Sequence, residues 1–242
     1  MLRNEDLDPQ RSRPEFARAM IEDLRWLGIR WSEGPDCGGE YGPYSQSERR
    51  AHYVDAWRRL LAGGFLYPCH CSRKDLTQSA SAPNDDDEPV YPGTCRERKD
   101  VPVSTEPAGV NWRFRVPQGE AIEFADLNLG RQCYVAGNHS DFGDFLVWRR
   151  DDVPAYQLAV IVDDAAMQIT EVVRGADLLK STARQLLLLR ALGHSPPDYF
   201  HCQMLRDPAG VRLAKRHDAL SIRHLRESGM TAHKVLEMAG WP

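Results

Sequence analysis

The residues best suited to chemistry are three cysteines, Cys69, Cys71 and Cys95, together with Tyr91. Closely spaced thiolates are a common way to hold zinc, which takes four ligands at the corners of a tetrahedron. The Cys-x-Cys pair on a tight turn supplies two thiolates, and a second loop brings Cys95 as a third. The sequence therefore predicts a structural metal site in which protein fills every position.

The fourth ligand remains open from the residue types alone. The candidates are Tyr91 through its phenolate, His70 and Cys133, and tyrosine ranks below the other two because it is an unusual zinc ligand. The alternative for the whole cluster is a group of buried free thiols or one disulfide, since Cys-x-Cys is a weaker signal than paired Cys-x-x-Cys. Cys37 and Cys202 are isolated in the sequence.

Length and composition describe an ordinary globular chain. Its 242 residues, of which 42% are hydrophobic, can bury a large core as one domain or as a domain with a small insert. No apolar run is long enough to span a bilayer, and residues 1–10 are too charged for a secretory signal. We therefore expect a cytoplasmic protein with no membrane partner, and the six cysteines fit a reducing compartment.

The charge balance bears on nucleic-acid binding. A net charge of -4 argues against indiscriminate binding of nucleic acid. Local basic stretches at residues 96–99 and 212–216 can still contact phosphates, so an RNA partner remains compatible with the composition.

Helical periodicity places the first elements. Residues 12–15 have capping-box spacing, and apolar residues then recur at helical intervals up to Gly28. A second helix is predicted over residues 48–62 and ends at a pair of glycines. Residues 77–89, between the two halves of the cysteine cluster, are too polar to build a core and predict a loop.

The remaining pattern predicts α/β architecture. Residues 110–116 alternate apolar and polar side chains as a half-buried strand does, and further strands are predicted at 122–124 and 145–149. The later elements are a helix over 154–163, a strand over 168–173, a helix over 178–192, strands over 199–205 and 211–214 joined by a turn, and short helices over 221–227 and 231–239.

Three polar motifs lie on this scaffold, at residues 3–9, 174–177 and 212–216. Each is weak by itself, because an acidic cluster before a helix is usually cap chemistry, an Arg-Gly pair is usually a turn, and a basic hairpin is usually a solvated face. Their order along the chain gives them weight.

Together these motifs resemble the catalytic domain of the class I glutamyl-tRNA synthetase group, in which similar segments occur in the same order. The run of residues 156–164 is also similar to the substrate-site helix of that group, and the resemblance extends over nearly the whole chain. It implies an α/β fold of Rossmann type, incomplete here, interrupted by a zinc-bearing insert.

Within the group, Cys69, Cys71, Tyr91 and Cys95 are similar to the zinc ligands of the short paralogues, the glutamyl-queuosine tRNA(Asp) synthetases, which lack an anticodon-binding domain. This resemblance raises Tyr91 above His70 as the fourth ligand. It implies activation of glutamate with ATP, without tRNA, and transfer of the glutamyl group to queuosine at the wobble position of tRNA(Asp).

The resemblance also assigns roles to four residues. Glu5 would contact the ammonium group of glutamate, Tyr156 would hydrogen-bond the ligand, and Arg174 would form a bidentate pair with a carboxylate. Lys215 would bind ATP and stabilise the charge that develops as pyrophosphate leaves, with Mg²⁺ accompanying the nucleotide. The simpler alternatives are an internal salt bridge for Arg174 and an exposed hairpin lysine for Lys215.

The chain departs from the family pattern in two places. It begins just before Glu5, without the strand and the His-Ile-Gly-His-like motif that carry half of the family's ATP site, and a misplaced start codon or truncated gene accounts for this most simply. In the ATP loop, Arg212 keeps a charge, but Ala214 lacks a hydroxyl that could donate to phosphate. We therefore expect this chain to activate glutamate poorly or not at all.

The predicted organisation has four parts: residues 1–68 and 151–242 from the nucleotide-binding domain, a zinc insert at 69–98, and an acceptor-arm-type insert at 99–150. We expect a monomer. The alternatives are a truncated glutamyl-tRNA synthetase and a catalytically silent tRNA-binding zinc protein.

Overall fold

The computed structural model of the protein describes residues 1–8, 12–71, 91–97, 105–137, 140–204 and 221–240. Its backbone contacts divide the chain into two units, one of residues Met1–Arg49 and Met204–Pro242 and the other of Arg50–Gln203. The four-part division expected from the sequence stays a prediction. None of the helices within the described ranges combines the length and the apolar character needed to cross a membrane.

Helices and strands alternate through most of the described chain. The helices are α1 (Pro14–Trp26), α2 (Arg50–Ala62), α3 (Tyr156–Ala166), α4 (Leu179–Leu192), α5 (Ile222–Glu227) and α6 (Ala232–Met238). The strands are β1 (Leu66–Cys69), β2 (Asn111–Phe114), β3 (Glu120–Asp126), β4 (Gly130–Ala136), β5 (Phe145–Trp148), β6 (Glu171–Gly175) and β7 (Asp198–Cys202). The α/β class expected from the sequence is confirmed.

In the first unit, helix α1 begins differently from the prediction. The residue that caps it is Arg13, and its side chain makes no capping hydrogen bond, so the predicted capping box is wrong. Pro14 occupies the first helical turn instead, where its fixed φ suits a helix and its missing N–H costs nothing. Arg226 of α5 pairs with Asp23 of α1 at 3.0 Å and holds the two helices together.

The second unit contains two sheets. One is antiparallel with strand order β1-β2-β5, and the other is mixed with order β4-β3-β7-β6. In the mixed sheet β3 pairs with β4 antiparallel, while β7 runs parallel to both β3 and β6. Strand β4 is absent from the predictions, because a gap of only three residues separates it from β3 and alternation is weak in a strand with little buried surface.

Helix α2 shows why the second unit holds together. Tyr53, Trp57 and Leu60 recur at helical spacing and are all fully buried. The Trp57 ring meets Trp112 of β2 edge to face, with centroids 5.0 Å apart. Burying side chains of this size contributes about 2 to 3 kcal/mol each, which fixes the helix against the antiparallel sheet.

Strand β2 contradicts the half-buried pattern expected of it. Trp112 and Phe114 are buried as predicted, but Arg113 between them is also buried, with 3% of its surface exposed. Helix α2 covers the face of β2 that carries Trp112, through Trp57, and the cysteine cluster covers the face that carries Arg113, so alternation no longer separates inside from outside.

Candidate active site and metal centre

Glu5 lies on a short extended segment of the first unit. Its neighbours are held by residues 44–47: Asn4 exchanges backbone hydrogen bonds with Tyr44 and Gln46, and Asp6 accepts from the backbone and hydroxyl of Ser47. The Glu5 carboxylate is 46% exposed and lies 3.5 Å from Arg3. Both residues line a cleft of about 910 Å³ in this unit.

Arg174 lies near the end of β6 in the second unit. The parallel register of β6 and β7 sets it opposite His201, and its Nε donates to His201 Nε2 at 3.1 Å. Its Nη2 donates to the hydroxyl of Thr182 in the first turns of α4 at 2.7 Å. The Arg174 guanidinium, carried by β6, is therefore held by His201 of β7 and Thr182 of α4.

His201 has a fixed tautomer in this arrangement. Arginine Nε–H can only donate, so His201 Nε2 must accept, and the ring proton lies on Nδ1. That proton is donated to Asp126 of β3 at 2.6 Å. His201 and the Asp126 carboxylate are completely buried. His201 is therefore a neutral bridge between a buried carboxylate and Arg174.

Asp126 is held in its charged form. Burial alone would raise its pKa, but hydrogen bonds from the His201 ring and from the backbone N–H groups of Leu129, Asn128 and His201 outweigh burial and lower the pKa. The carboxylate oxygens thus accept from several fixed donors and are in turn a rigid anchor for the His201 ring.

Tyr156 and Arg174 lie near a common neighbour, Tyr199 of β7. The guanidinium carbon of Arg174 is 5.3 Å from the centre of the Tyr199 ring. Burial raises the pKa of Tyr199 to about 12, Arg174 opposes the rise, and Asp164 and Tyr156 add to it. Tyr156 is the first residue of α3 and is 37% exposed, so its side chain is accessible to a ligand.

The predicted ATP-loop lysine, Lys215, lies outside the described residues, as do Arg212 and Ala214. Glu5 belongs to the first unit, whereas Tyr156 and Arg174 belong to the second. Within the second unit the structure brings two of the predicted substrate-binding residues to one neighbourhood.

The cysteine cluster forms a compact group in the second unit. The sulfur atoms of Cys69, Cys71 and Cys95 all lie within 4.8 Å of one another, an arrangement that could hold a metal ion. Cys71 and Cys95 are 3.6 Å apart, and the Tyr91 hydroxyl is 3.5 Å from Cys69 and 3.7 Å from Cys71. Cys69, Tyr91 and Cys95 are buried, while Cys71 is half-buried.

These separations can be compared with the edges of a coordination tetrahedron. Zinc bonds of ordinary length place two sulfurs about 3.8 Å apart and a sulfur and an oxygen about 3.5 Å apart. The Cys71–Cys95 and cysteine–tyrosine distances lie close to these values. Three thiols and a phenol at such distances suit a closed, tetrahedral centre with no place for water.

The other two candidates for the fourth ligand stand apart from this group. His70 is exposed and contributes its backbone N–H, rather than its ring, as a hydrogen bond to Cys95. Cys133 is exposed on β4, in the other sheet. The geometry thus favours Tyr91, whose hydroxyl also accepts from the backbone N–H of Cys95 at 2.8 Å.

Two residues that the sequence analysis missed surround the cluster. Arg113 donates from Nε to Cys69 Sγ at 3.3 Å, and its guanidinium carbon lies 3.8 Å from the centre of the Tyr91 ring. The carboxylate of Asp144 accepts from Tyr67 at 2.6 Å and from Arg96, and so ties together the segments that carry Cys69 and Cys95. No local sequence signal marks either residue, because each acts through contacts between distant segments.

The fold agrees with the comparison with known proteins. Residues 1–240 match the family described as tRNA synthetases class I (E and Q), catalytic domain, and the chain belongs to this family. It is therefore a catalytic domain of the aminoacyl-tRNA synthetase type, a class of ligase that uses ATP.

Within this family, the chain is similar to two proteins that carry the same name. The chain is 49% identical over 243 residues to the glutamyl-Q tRNA(Asp) synthetase of Symbiobacterium thermophilum, covering 98% of this chain and 73% of that protein. The identity to the protein of the same name from Nitratidesulfovibrio vulgaris is also 49%, covering 97% of this chain and 73% of that protein.

Longer synthetases are similar over part of their length. Glutamate–tRNA ligase 2 of Nitrosococcus oceani is 44% identical, over 95% of this chain and 49% of that protein. The crystal structure of a glutamate tRNA ligase from Elizabethkingia meningosepticum, in complex with its amino acid, superimposes with a TM-score of 0.74 at 30% identity, over 89% of this chain and 45% of that chain. The chain thus spans about half the length of these ligases.

Proposed function

We propose that this chain activates glutamate with ATP, without tRNA, and transfers the glutamyl group to queuosine at the wobble position of tRNA(Asp). The observation that carries the proposal is the likeness, at 49% identity over nearly the whole chain, to two proteins named glutamyl-Q tRNA(Asp) synthetase. The guanidinium of Arg174 supports a carboxylate-bearing substrate.

Arg174 has the donors that this role requires. Its Nε–H is used by His201 and one Nη2–H by Thr182. A guanidinium has five N–H groups, and these two partners use only the Nε proton and one Nη2 proton. The Nη1–Nη2 end can therefore form two parallel hydrogen bonds with a carboxylate of glutamate.

The other roles remain as predicted from the sequence. Glu5 provides a carboxylate for the ammonium group of glutamate, and Tyr156 provides a hydroxyl for the same ligand. Lys215 binds the phosphates of ATP, together with Mg²⁺, and stabilises the negative charge on pyrophosphate as it leaves.

The cysteine cluster is proposed to hold one structural zinc ion through Cys69, Cys71, Tyr91 and Cys95. The spacing of the sulfur and oxygen atoms supports four protein ligands, which leaves no coordination position for a reacting water. Zinc would then stabilise the insert without taking part in the reaction. The cytoplasmic location and the monomeric state stay predictions.

Two assays test the function. Glutamate-dependent exchange of pyrophosphate into ATP, with tRNA omitted, measures adenylate formation. Transfer of labelled glutamate is then measured with tRNA(Asp) that carries queuosine and with tRNA(Asp) that carries guanosine at the same position. Both assays are run on this chain and on the same chain with the upstream coding sequence restored. We expect exchange without tRNA and transfer to the queuosine form alone; exchange that stays at background with that sequence restored, or transfer to neither tRNA, overturns the proposal.

The similarity to glutamate–tRNA ligases of about twice this length supports one alternative, the catalytic portion of such a ligase. A glutamate–tRNA ligase matches this chain at 44% identity, so the chain could be the catalytic portion of such a ligase. Labelling of tRNA(Glu), together with no labelling of queuosine-containing tRNA(Asp), would favour that function. Binding of tRNA without any glutamate-dependent chemistry would favour the silent tRNA-binding alternative.

A further inference from the structure

Arg113 is a buried cation whose position the proposed reaction does not explain. It lies on the central strand of the antiparallel sheet with 3% of its surface exposed. Burying a charge is costly unless an opposite charge or several hydrogen bonds compensate it. In the part of the chain that the structure describes, no carboxylate oxygen lies within ion-pair distance of Arg113, so its compensation must come from another group.

The contacts of Arg113 identify that group as the metal cluster. Its Nε donates to Cys69 Sγ at 3.3 Å, and its guanidinium carbon lies over the Tyr91 ring, 3.8 Å from the ring centre. One side chain therefore touches two of the four proposed ligands. Three thiolates and a tyrosine oxygen around a divalent ion leave an excess of negative charge, which a buried cation in direct contact would offset.

Arg113 is also held in this position independently of the metal ligands. Its Nη1 donates to the backbone carbonyl of Asp144 at 2.9 Å. The side chain of Asp144 in turn accepts from the backbone N–H of Val116 at 2.8 Å and from Tyr67 at 2.6 Å. The guanidinium is thus oriented by groups that do not coordinate the metal.

We propose that Arg113 is a positioning residue of the metal centre, which supplies the charge that compensates its thiolate and tyrosine ligands and thereby sets the affinity for zinc. The inference rests on the structural zinc site proposed above. Partners that orient and compensate metal ligands typically contribute a factor of about 10 to 100 in metal affinity.

Arg115 offers a matched control two positions along the chain. Its guanidinium carbon lies 4.9 Å from the centre of the Tyr67 ring, a contact with an aromatic side chain that is not a proposed ligand. Arg113→Met and Arg115→Met therefore remove the same charge from the same region. They differ in whether the charge touches the cluster.

The test measures zinc affinity by competition with a chromophoric chelator for the parent protein and both variants. We expect Arg113→Met to bind zinc about 10 to 100 times more weakly and Arg115→Met to bind as the parent does. Cobalt substitution gives a second readout: thiolate-to-metal absorption should persist in Arg113→Met at saturating cobalt, because the ligands themselves are retained.

The outcomes separate the two proposals. If the parent protein binds no zinc, the metal site itself fails. If the parent binds zinc and the two methionine variants bind it equally well, the role of Arg113 is overturned. Should Arg113→Met not fold, Arg113→Lys and Arg115→Lys replace the pair. Lysine lacks the guanidinium group that contacts Tyr91 and Cys69 at the same time, so we expect Arg113→Lys alone to bind zinc more weakly. Equal zinc affinity of the two lysine variants overturns the proposal.

Discussion

Arg174 donates from Nε to Nε2 of His201 at 3.1 Å, and this one hydrogen bond fixes the protonation of the histidine as well as the orientation of the arginine. The His201 ring must carry its proton on Nδ1, where it faces Asp126. A buried carboxylate thus orients, through a neutral ring, the cation that we propose binds glutamate.

Arg174 provides the most direct test of the glutamate site. Arg174→Lys keeps a positive charge but loses the planar pair of donors, so glutamate should bind about 10 to 100 times more weakly, as expected for losing a charged hydrogen bond. Calorimetric titration with glutamate measures this. Arg190→Gln is the control, since Arg190 pairs with Glu120 on the surface; equal losses in both variants would count against the site.

His201 should act on glutamate binding only through Arg174. His201→Gln removes the fixed bridge to Asp126, and we expect glutamate affinity to fall roughly tenfold and stability by about 3 kcal/mol. The maximal rate at saturating glutamate should change much less than KM. His52→Gln, on the exposed face of α2, is the control. An unchanged KM in a folded His201 variant would contradict the positioning role.

The lowered pKa of Asp126 predicts how the free energy of unfolding depends on pH in the acid range. Its pKa is lower in the folded state than in the unfolded chain, so the folded state binds fewer protons between the two values. The stabilisation is complete above the ordinary carboxyl pKa of about 3.9 and is lost as pH falls through the folded-state value.

Denaturation midpoints measured from about pH 2 to pH 6 test this dependence. Asp126→Asn should lower stability at neutral pH, because an amide offers one acceptor oxygen in place of two, and should flatten the fall in acid. Asp198→Asn, at the exposed start of β7, should leave the profile as in the parent. An unchanged acid limb in Asp126→Asn would show that another group governs it.

The cysteine cluster predicts one bound zinc ion per chain. Cys69→Ser combined with Cys71→Ser should abolish binding and lower the melting temperature, since an ion that binds only the folded state stabilises it. Metal content by atomic emission and thermal unfolding with and without a chelator are the measurements. Cys133→Ser, an exposed thiol on β4, is the control. A parent protein without zinc, or with the same melting temperature after chelation, would refute the site.

The sequence alone determined the elements with strong periodicity and their approximate bounds. Helix α2 and helix α4 carry continuous apolar stripes and end at glycines, including Gly193 with φ +74°, so local pattern and turn chemistry specify them. The proximity of Cys69 to Cys71 is likewise a property of the chain itself. The order of the polar motifs was sufficient to indicate the synthetase family.

Only the tertiary structure decided what surrounds these residues. Asp126 and His201 are distant in sequence and meet because β3 and β7 are neighbours in the mixed sheet. The alternating pattern predicts a solvent-facing Arg113, and only the packing of Cys69 and Tyr91 against it in the folded chain buries it. Periodicity reports only which face of an element is apolar; which charges compensate one another depends on contacts between distant segments, and these exist only in the folded chain.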